Sequence, residues 1–162
     1  MLTRDILSAF VSYDPESGEF ARKKKVKGST KKVGDLLGSD DGAGYVQISV
    51  CGKVYRAHRL AFLYMTGRIP KYIDHINHDK SDNSWANLRE CSKAENSFNR
   101  TAPANNTSGY RGVSLTRNKK WKAESWISGK KINLGVHDTP ERADIACRIF
   151  RYFHHGEFYC QK

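Results

Sequence analysis

The apolar positions of this chain change rhythm several times, and each change predicts an element. Ile6, Leu7 and Phe10 share a face at helical spacing, so residues 1–12 read as a short amphipathic helix. Thr3 is its expected N-cap and Asp5 suits its first turn. Tyr13-Asp14-Pro15-Glu16-Ser17-Gly18 is turn chemistry. From Phe20 to Tyr55 the pattern is one of short strands: Gly44–Val50 alternates, and Cys51-Gly52-Lys53 turns the chain back. Leu60, Ala61 and Tyr64 return to helical spacing from about Ala57 to Met65, with Gly67 as the stop. Lys71–Asn77 and Asn87–Cys91 read as strands around a polar loop, Asn77 to Asn83. Ser92-Lys93-Ala94-Glu95 has the form of a capping box, so a helix should begin at Ser92 with Asn96 in its first turn, near the strand bearing Asp74.

Residues 101–108, with Pro103 and Asn105-Asn106, break all periodicity and read as a linker. Beyond it, Tyr110–Leu115, Trp121–Ser128 and Lys131–Leu134 are expected strands. Thr139-Pro140-Glu141 is a helix start, and Ala143, Ala146, Cys147, Phe150 and Phe153 define the buried face expected of that helix, which ends near Gly156. Alternation sends Trp121, Ala123, Ser125 and Ile127 toward the helix and leaves Lys122, Glu124 and Trp126 outside, beside Lys131 and Asn133. Arg111 falls on the face of Val113, so a bulge is needed if Val113 is core.

Charge narrows the partners. Lys and Arg total 28 against 17 Asp and Glu, a net +11 over 162 residues, which favours a polyanion. The densest basic run, Arg22 to Lys32, reads equally as a phosphate-tracking patch or as a solvated hairpin. No apolar run is long enough for a membrane span, and Met1-Leu2-Thr3-Arg4-Asp5 lacks a secretory pattern, so the expected setting is cytoplasmic and the sequons at Asn105 and Asn106 carry little meaning. Cys51, Cys91, Cys147 and Cys160 form no Cys-x-x-Cys pair, so no structural zinc is expected and the thiols should stay reduced.

The chemistry concentrates around Asp74-His75, with Asn87 twelve residues after His75 and Asn96 nine further on. A carboxylate and a carboxamide offer oxygen ligands to one hard divalent ion, and a neutral imidazole beside them can take a proton from an attacking water. The plainer alternative is a polar surface loop. His58, His75 and His78 could also make a zinc cluster, although the neighbouring Asp and Asn suit a harder ion better.

Residues 55–99 resemble the HNH endonuclease family, in the variant where Asp replaces the first His and Asn the last. The matching pieces are His58-Arg59-Leu60-Ala61, Asp74-His75-Ile76-Asn77, Asp82-Asn83, Asn87-Leu88-Arg89 and Glu95-Asn96. The wider span from Tyr13-Asp14-Pro15 through Gly18 and Gly44-Tyr45 to Arg100 resembles the small HNH proteins of bacteriophages and mobile introns. The resemblance implies an α+β fold with a ββα-metal core at about 71–100. It also implies one Mg²⁺ or Mn²⁺ held by Asp74 and Asn96, His75 as general base, and Asn87 orienting the loop or the ring of His75. The expected state is a monomer or weak homodimer, and with one such site per protomer a monomer would nick. His58 reads more readily as a structural hydrogen-bonder than as a ligand, while Arg59 could touch a phosphate. His78 occupies a loop position where relatives often have Gly.

The second half resembles the plant ethylene-response-factor type of DNA-binding domain, a three-stranded antiparallel sheet on one helix. Ser108–Val113, Trp121–Glu124, Leu134-Gly135 and Thr139 through Phe150 carry that resemblance. It makes Arg111, Lys119, Lys120, Lys122, Trp126, Lys131 and Asn133 the expected contacts to double-stranded DNA. Asn133 stands where the plant domain has Trp, so its target sequence should differ. The expected organisation is a nuclease domain at 1–100, a linker at 101–108 and a DNA-binding domain at 109–162. A phage-encoded protein of this kind would act in the bacterial cytoplasm. Two other readings are a non-catalytic DNA-binding regulator, against which the full Asp74, His75, Asn87, Asn96 set counts, and an RNA-binding or RNA-cleaving protein using its aromatic residues.

Overall fold

The computed structural model describes residues 2–98 and 106–156. The first five residues of the expected linker, Arg100, and the chain after Gly156 with Cys160 lie outside them. The chain divides into two compact units, Met1–Ser92 and Lys93–Lys162.

The first unit opens with α1 (Arg4–Phe10), whose Thr3 Oγ1 accepts from Ile6 N as an N-cap should. The chain passes directly into β1 (Val11–Tyr13), which pairs antiparallel with β2 (Phe20–Arg22), itself paired with β3 (Leu36–Leu37). A second sheet is built from β4 (Ser39–Asp40), β5 (Val46–Val50) and β6 (Lys53–Arg56), in that spatial order. Its β5–β6 turn places Cys51 and Gly52 at φ 51° and 75°, the left-handed pair that suits a tight hairpin. Next comes α2 (Ala57–Thr66), which ends at Gly67 with φ 79° and a backbone bond to Leu63 O. β7 (Ile73–His75) and β8 (Leu88–Glu90) form a two-stranded ladder, shorter than the apolar pattern predicts at both strands.

Leu7, Phe20, Leu60 and Ala61 are at or near zero exposure at the centre of the core, and Phe62 packs edge-on against Trp85 with centroids 4.9 Å apart. Ile6 departs from expectation. It is 41% exposed, because the helix turns only its Leu7 side fully into the core.

One contact joins the start of this unit to its polar loop. Gly18 adopts φ +76°, and a Cβ there would stand 2.3 Å from Asn83 C and Ser84 N. Tyr13 Oη donates to Asn83 O at 2.7 Å, and Trp85 N donates to Pro15 O at 2.8 Å. The Asp14–Gly18 turn is therefore a clamp on residues 83–85.

The second unit contains α3 (Lys93–Phe98), which begins one residue after Ser92. It also contains an antiparallel sheet ordered β11-β10-β9 and the helix α4 (Pro140–His155), where β9 is Val113–Leu115, β10 Trp121–Ile127 and β11 Lys130–His137. Thr139 Oγ1 caps α4 by accepting from Arg142 N at 3.3 Å, with Pro140 in the first turn. Ala123, Ala143 and Cys147 are buried together with Val113, and Ser125 is buried on the same β10 face. Phe153, expected on the buried face of α4, is 73% exposed; that face closes earlier, where Arg151 is buried and its Nε donates to Cys147 O at 3.1 Å.

The β10–β11 register shifts between Lys122 and Glu124. Gly112, at φ +83°, lies just before β9 and receives Glu124 N on its carbonyl at 2.8 Å. Strand alternation thus begins at Val113 and does not fix the side of Arg111. Chains, sheets and helices of this kind make the fold a mixed α+β one with small antiparallel sheets.

Replacing Gly18 with Ala should destabilise the first unit by about 1–3 kcal/mol, from the left-handed backbone and the clash with residues 83–84. A chemical-denaturation midpoint indistinguishable from wild type would show that this clamp contributes nothing.

Candidate active site

Residues 77–84 are all polar, so the loop between β7 and β8 has no apolar side chain to anchor it between Ile76 and Trp85. Hydrogen bonds set its shape instead. The Asn87 carboxamide is central: Oδ1 accepts from Asn77 N at 2.9 Å, and Nδ2 donates to Asp82 O at 2.8 Å. Asn87 O also accepts from Ile76 N at 2.9 Å. Asn77 Nδ2 donates to Asp82 Oδ2 at 2.7 Å, Asp79 Oδ1 takes Ser81 N and Oγ, and Asp82 Oδ1 takes Ser84 N and Oγ. These bonds hold the Asp79 and Asp82 carboxyls below the usual range, most strongly through Ser81 and Ser84 respectively. His78 turns the loop at φ +68°, a left-handed position that costs a residue with a Cβ and that glycine adopts freely.

β7 carries Asp74 and His75, both buried. The ladder sets Asp74 opposite Arg89, whose Nε and Nη2 donate to Asp74 Oδ2 at 3.0 and 2.8 Å. The pair is nearly dehydrated, with side-chain exposures of 12% for Arg89 and 8% for Asp74. The charge-assisted bonds fix the carboxylate's orientation, and removal of either partner would strand a buried charge.

His75 packs edge-on against the ring of His58, centroids 5.1 Å apart, and Tyr45 lies 5.4 Å from His58 and 5.9 Å from His75. Tyr45 is in turn covered by Arg56, 3.9 Å from its centroid, and by Lys80 at 4.8 Å. Lys80 Nζ donates to Ala43 O at 3.0 Å and Arg56 pairs with Asp41 at 3.1 Å, which ties the β4–β5 loop to the active loop. Burial pushes His75 below the ordinary imidazole range, against the raising influence of Asn83 and of the Asp74, Asp82 and Asp79 carboxylates. His58 is pushed further, to about 3, by burial first and then by His75, Arg56 and Arg59. Its Nδ1 is buried without a hydrogen-bond partner among the described residues.

The structure thus brings Asp74, His75 and Asn87 together. Asn96 lies half-buried on α3, in the second unit. Arg59 is half-buried on α2. In the second unit Trp126 is 56% exposed, as alternation requires. Lys122 and Lys131 both pair with Glu124, the latter at 2.9 Å, and Lys120 pairs with Asp138. Glu124, on the outer face with them as alternation predicts, therefore partly neutralises the outward lysines. Asn133 faces Glu124 across the ladder, its Oδ1 accepting from Gly135 N at 3.0 Å, and Lys119 occupies a left-handed turn position at φ 56°. Arg111 is half-buried in the turn before β9.

Three contributors escaped the sequence reading as site residues: Arg89, Tyr45 and Asn83. Arg89 was findable, since an antiparallel ladder that pairs His75 with Leu88 must set Asp74 opposite Arg89. Asn83 sits in the polar loop itself, within the quoted Asp82-Asn83 piece, whereas Tyr45 is brought in by a distant segment.

A short two-stranded ladder presents a buried Asp-His pair beside an Asn-clamped loop, the arrangement expected from the HNH resemblance. Residues 55–98 match the sequence profile of the HNH endonuclease family. The chain is 34% identical over 109 residues to Protein 3.8 of Escherichia phage T7, covering 65% of this chain and 89% of that protein. It is 37% identical over 119 residues to a protein of Acanthamoeba polyphaga mimivirus named as an HNH endonuclease, covering 72% of this chain and 61% of the relative. No solved structure matches it. Residues 55–98 are thus an HNH endonuclease domain, the mark of a DNA-cleaving hydrolase. No helix among the described residues is long and apolar enough to cross a membrane.

A buried neutral His58 links stability to pH. Its folded pKa, about 3, lies below the ordinary value of 6.5, so the unfolded chain binds the extra proton between those values. This contribution to stability is complete above pH 6.5 and falls away as the pH drops toward 3. Denaturation midpoints recorded across that window should decline more steeply for wild type than for His58→Gln. Parallel curves would remove His58 from the account.

Proposed function

We propose that this protein is a divalent-metal-dependent endonuclease of double-stranded DNA, in which His75 activates water beside Asp74. The observation that carries the reading is the buried Asp74-His75 pair: burial disfavours the imidazolium, so His75 is neutral and able to accept a proton near pH 7. Asn87 acts through the loop it clamps, as a positioning residue.

The donor set suits a hard ion. Asp74 and Asn96 offer oxygen atoms, and among the described residues no cluster of three or more His, Cys, Asp or Glu side chains is gathered for a protein-only cage. Asp74 and Asn96 would hold one Mg²⁺ or Mn²⁺, leaving its other positions to water and phosphate oxygens. Bound there, the ion supplies charge to the phosphate and to the departing 3′ oxygen. Arg89 fixes the Asp74 carboxylate, and His75 takes the proton from the water that attacks phosphorus. One such site per protomer cuts one strand, so a monomer nicks. A bacterial host's cytoplasm is the proposed setting, given the phage relative.

For the second unit we propose DNA-site recognition of the ethylene-response-factor kind. Its sheet-on-helix form and exposed Trp126 support this, with Arg111, Lys119, Lys120, Lys122, Lys131 and Asn133 as further contacts and Arg59 on the nuclease side. Contact with phosphates would require Lys122 and Lys131 to exchange Glu124 for DNA.

His75→Ala should lower single-turnover cleavage of supercoiled plasmid by roughly 10²–10⁴-fold with DNA binding kept; a rate near wild type would remove His75 as the base. Asn96→Ala and Asp74→Asn should each abolish metal-dependent cutting, with partial rescue by raised Mn²⁺. Full cutting in excess chelator would defeat the metal mechanism, and circular dichroism guards against a fold lost with the Arg89 partner.

Trp126→Ala should weaken binding to a preferred site more than to random duplex if the ring touches bases. Equal loss on both substrates would make the second unit a non-specific anchor.

A further inference from the structure

The first unit holds a cleft of about 340 Å³ that shares no residue with the active loop. It lies between the basic β2–β3 segment and the β5–β6 turn, and its lining combines the apolar Phe10, Val11, Leu37 and Val50 with the basic Arg22 and Lys27. No acidic residue lines it. A second cleft of this unit, about 400 Å³, has Glu19 and Asp40 in its lining and the wrong charge for an anion.

Arg22 gives the first cleft its chemistry. Its backbone is committed to the sheet edge, N donating to Asp35 O at 2.9 Å and O accepting from Gly34 N at 2.8 Å. Its Nε, by contrast, is buried and has no hydrogen-bond partner among the described residues. Arg22 as a whole is only half-buried and lines the cleft, so an anion entering it meets a guanidinium not already committed through Nε to a protein acceptor among the described residues. Lys27 is exposed, and Lys24 stands 5.3 Å over the Phe10 ring, so positive charge surrounds an apolar wall. Lys23, by contrast, is turned away, its Nζ donating to Ser8 O at 2.9 Å. Apolar wall plus guanidinium is the chemistry of a sugar joined to a phosphate.

We propose that this cleft is a subsite for a non-scissile DNA backbone phosphate and its deoxyribose, with Arg22 and Lys27 gripping the phosphate and the apolar wall receiving the sugar. It resolves the basic segment into a working cleft at Arg22 and Lys27 and a remainder that is solvated or tied to protein. The inference rests on the endonuclease reading, since it needs DNA as the partner.

Binding of the full chain to a labelled duplex, in chelator so that nothing is cut, tests it. Wild type, Lys27→Gln, Arg22→Gln and Arg22→Lys are compared from about 50 to 200 mM salt, with Arg4→Gln as a basic surface control. Lys27→Gln and Arg22→Gln should each bind several-fold more weakly and flatten the salt dependence by roughly 0.9 log unit. Arg22→Lys should keep the slope and lose affinity, and Arg4→Gln should change neither. Thermal melts confirm folding, and exposed Lys27 keeps the test decisive if Arg22 variants unfold. Inorganic phosphate and a deoxynucleoside monophosphate are titrated separately. Should Arg22→Gln and Lys27→Gln lose only small-anion binding and keep the duplex slope, or show the slope and affinity of Arg4→Gln, the DNA subsite is overturned. Plasmid nicking by the same wild-type preparation with Mg²⁺ or Mn²⁺ reports on the endonuclease reading independently, so the two failures are distinguishable.

Discussion

The two side-chain bonds of Asn87 are the constraint on which the site depends. Between β7 and β8 the chain makes an excursion through eight consecutive polar residues, and the hydrophobic effect gives such a segment no preferred shape. A carboxamide is suited to closing it because one group both accepts and donates. Oδ1 takes the amide just past His75, Nδ2 reaches the carbonyl of Asp82, and the Asx-type turns at Asn77, Asp79 and Asp82 fill the space between. An aspartate at 87 could accept but not donate, and a leucine could do neither. The position is thereby as demanding as a ligand's, although Asn87 acts only on the loop.

Around that frame the electrostatics divide by depth. Asp74 keeps its orientation by pairing with Arg89 away from water, while burial disfavours the charged form of both His58 and His75 and the neighbouring His75 adds to this at His58. Tyr45 presses on both rings and carries Arg56 and Lys80 on its other contacts, so charge is kept at the rim of the cluster. A chain with net charge +11 thus gathers two buried imidazoles and one paired carboxylate at its candidate site and leaves most of its lysines in solvent.

Much of this was legible in the residues, and the reason is locality. Thr3, Gly67 and the Thr139-Pro140 start act within one helical turn, and each appears where its chemistry puts it. The Asp74-His75 and Asn87 positions were legible because strand–loop–strand spacing brings them together. The misreadings share one cause: periodicity names an apolar face but not how far a neighbour covers it, so Ile6 and Phe153 emerged exposed. Alternation put Lys122, Lys131 and Glu124 on one face, but the ion pairs between them become visible only in the structure. The Tyr45–His58–His75 contact depends on three segments meeting, and no window of sequence contains it.

The clamp made by Tyr13, Pro15 and Gly18 bears on how small a working nuclease of this type can be made. Residues 55–98 carry the family match, and a minimal fragment cut to them would look complete by its motif. It would lack the carbonyl that receives Trp85 N, the hydroxyl that meets Asn83 O, and Leu7 and Phe20 from the core beneath α2. The recognisable motif thus leans on groups outside itself, and another protein inheriting the same loop would need an equivalent of the contacts made by the first twenty residues.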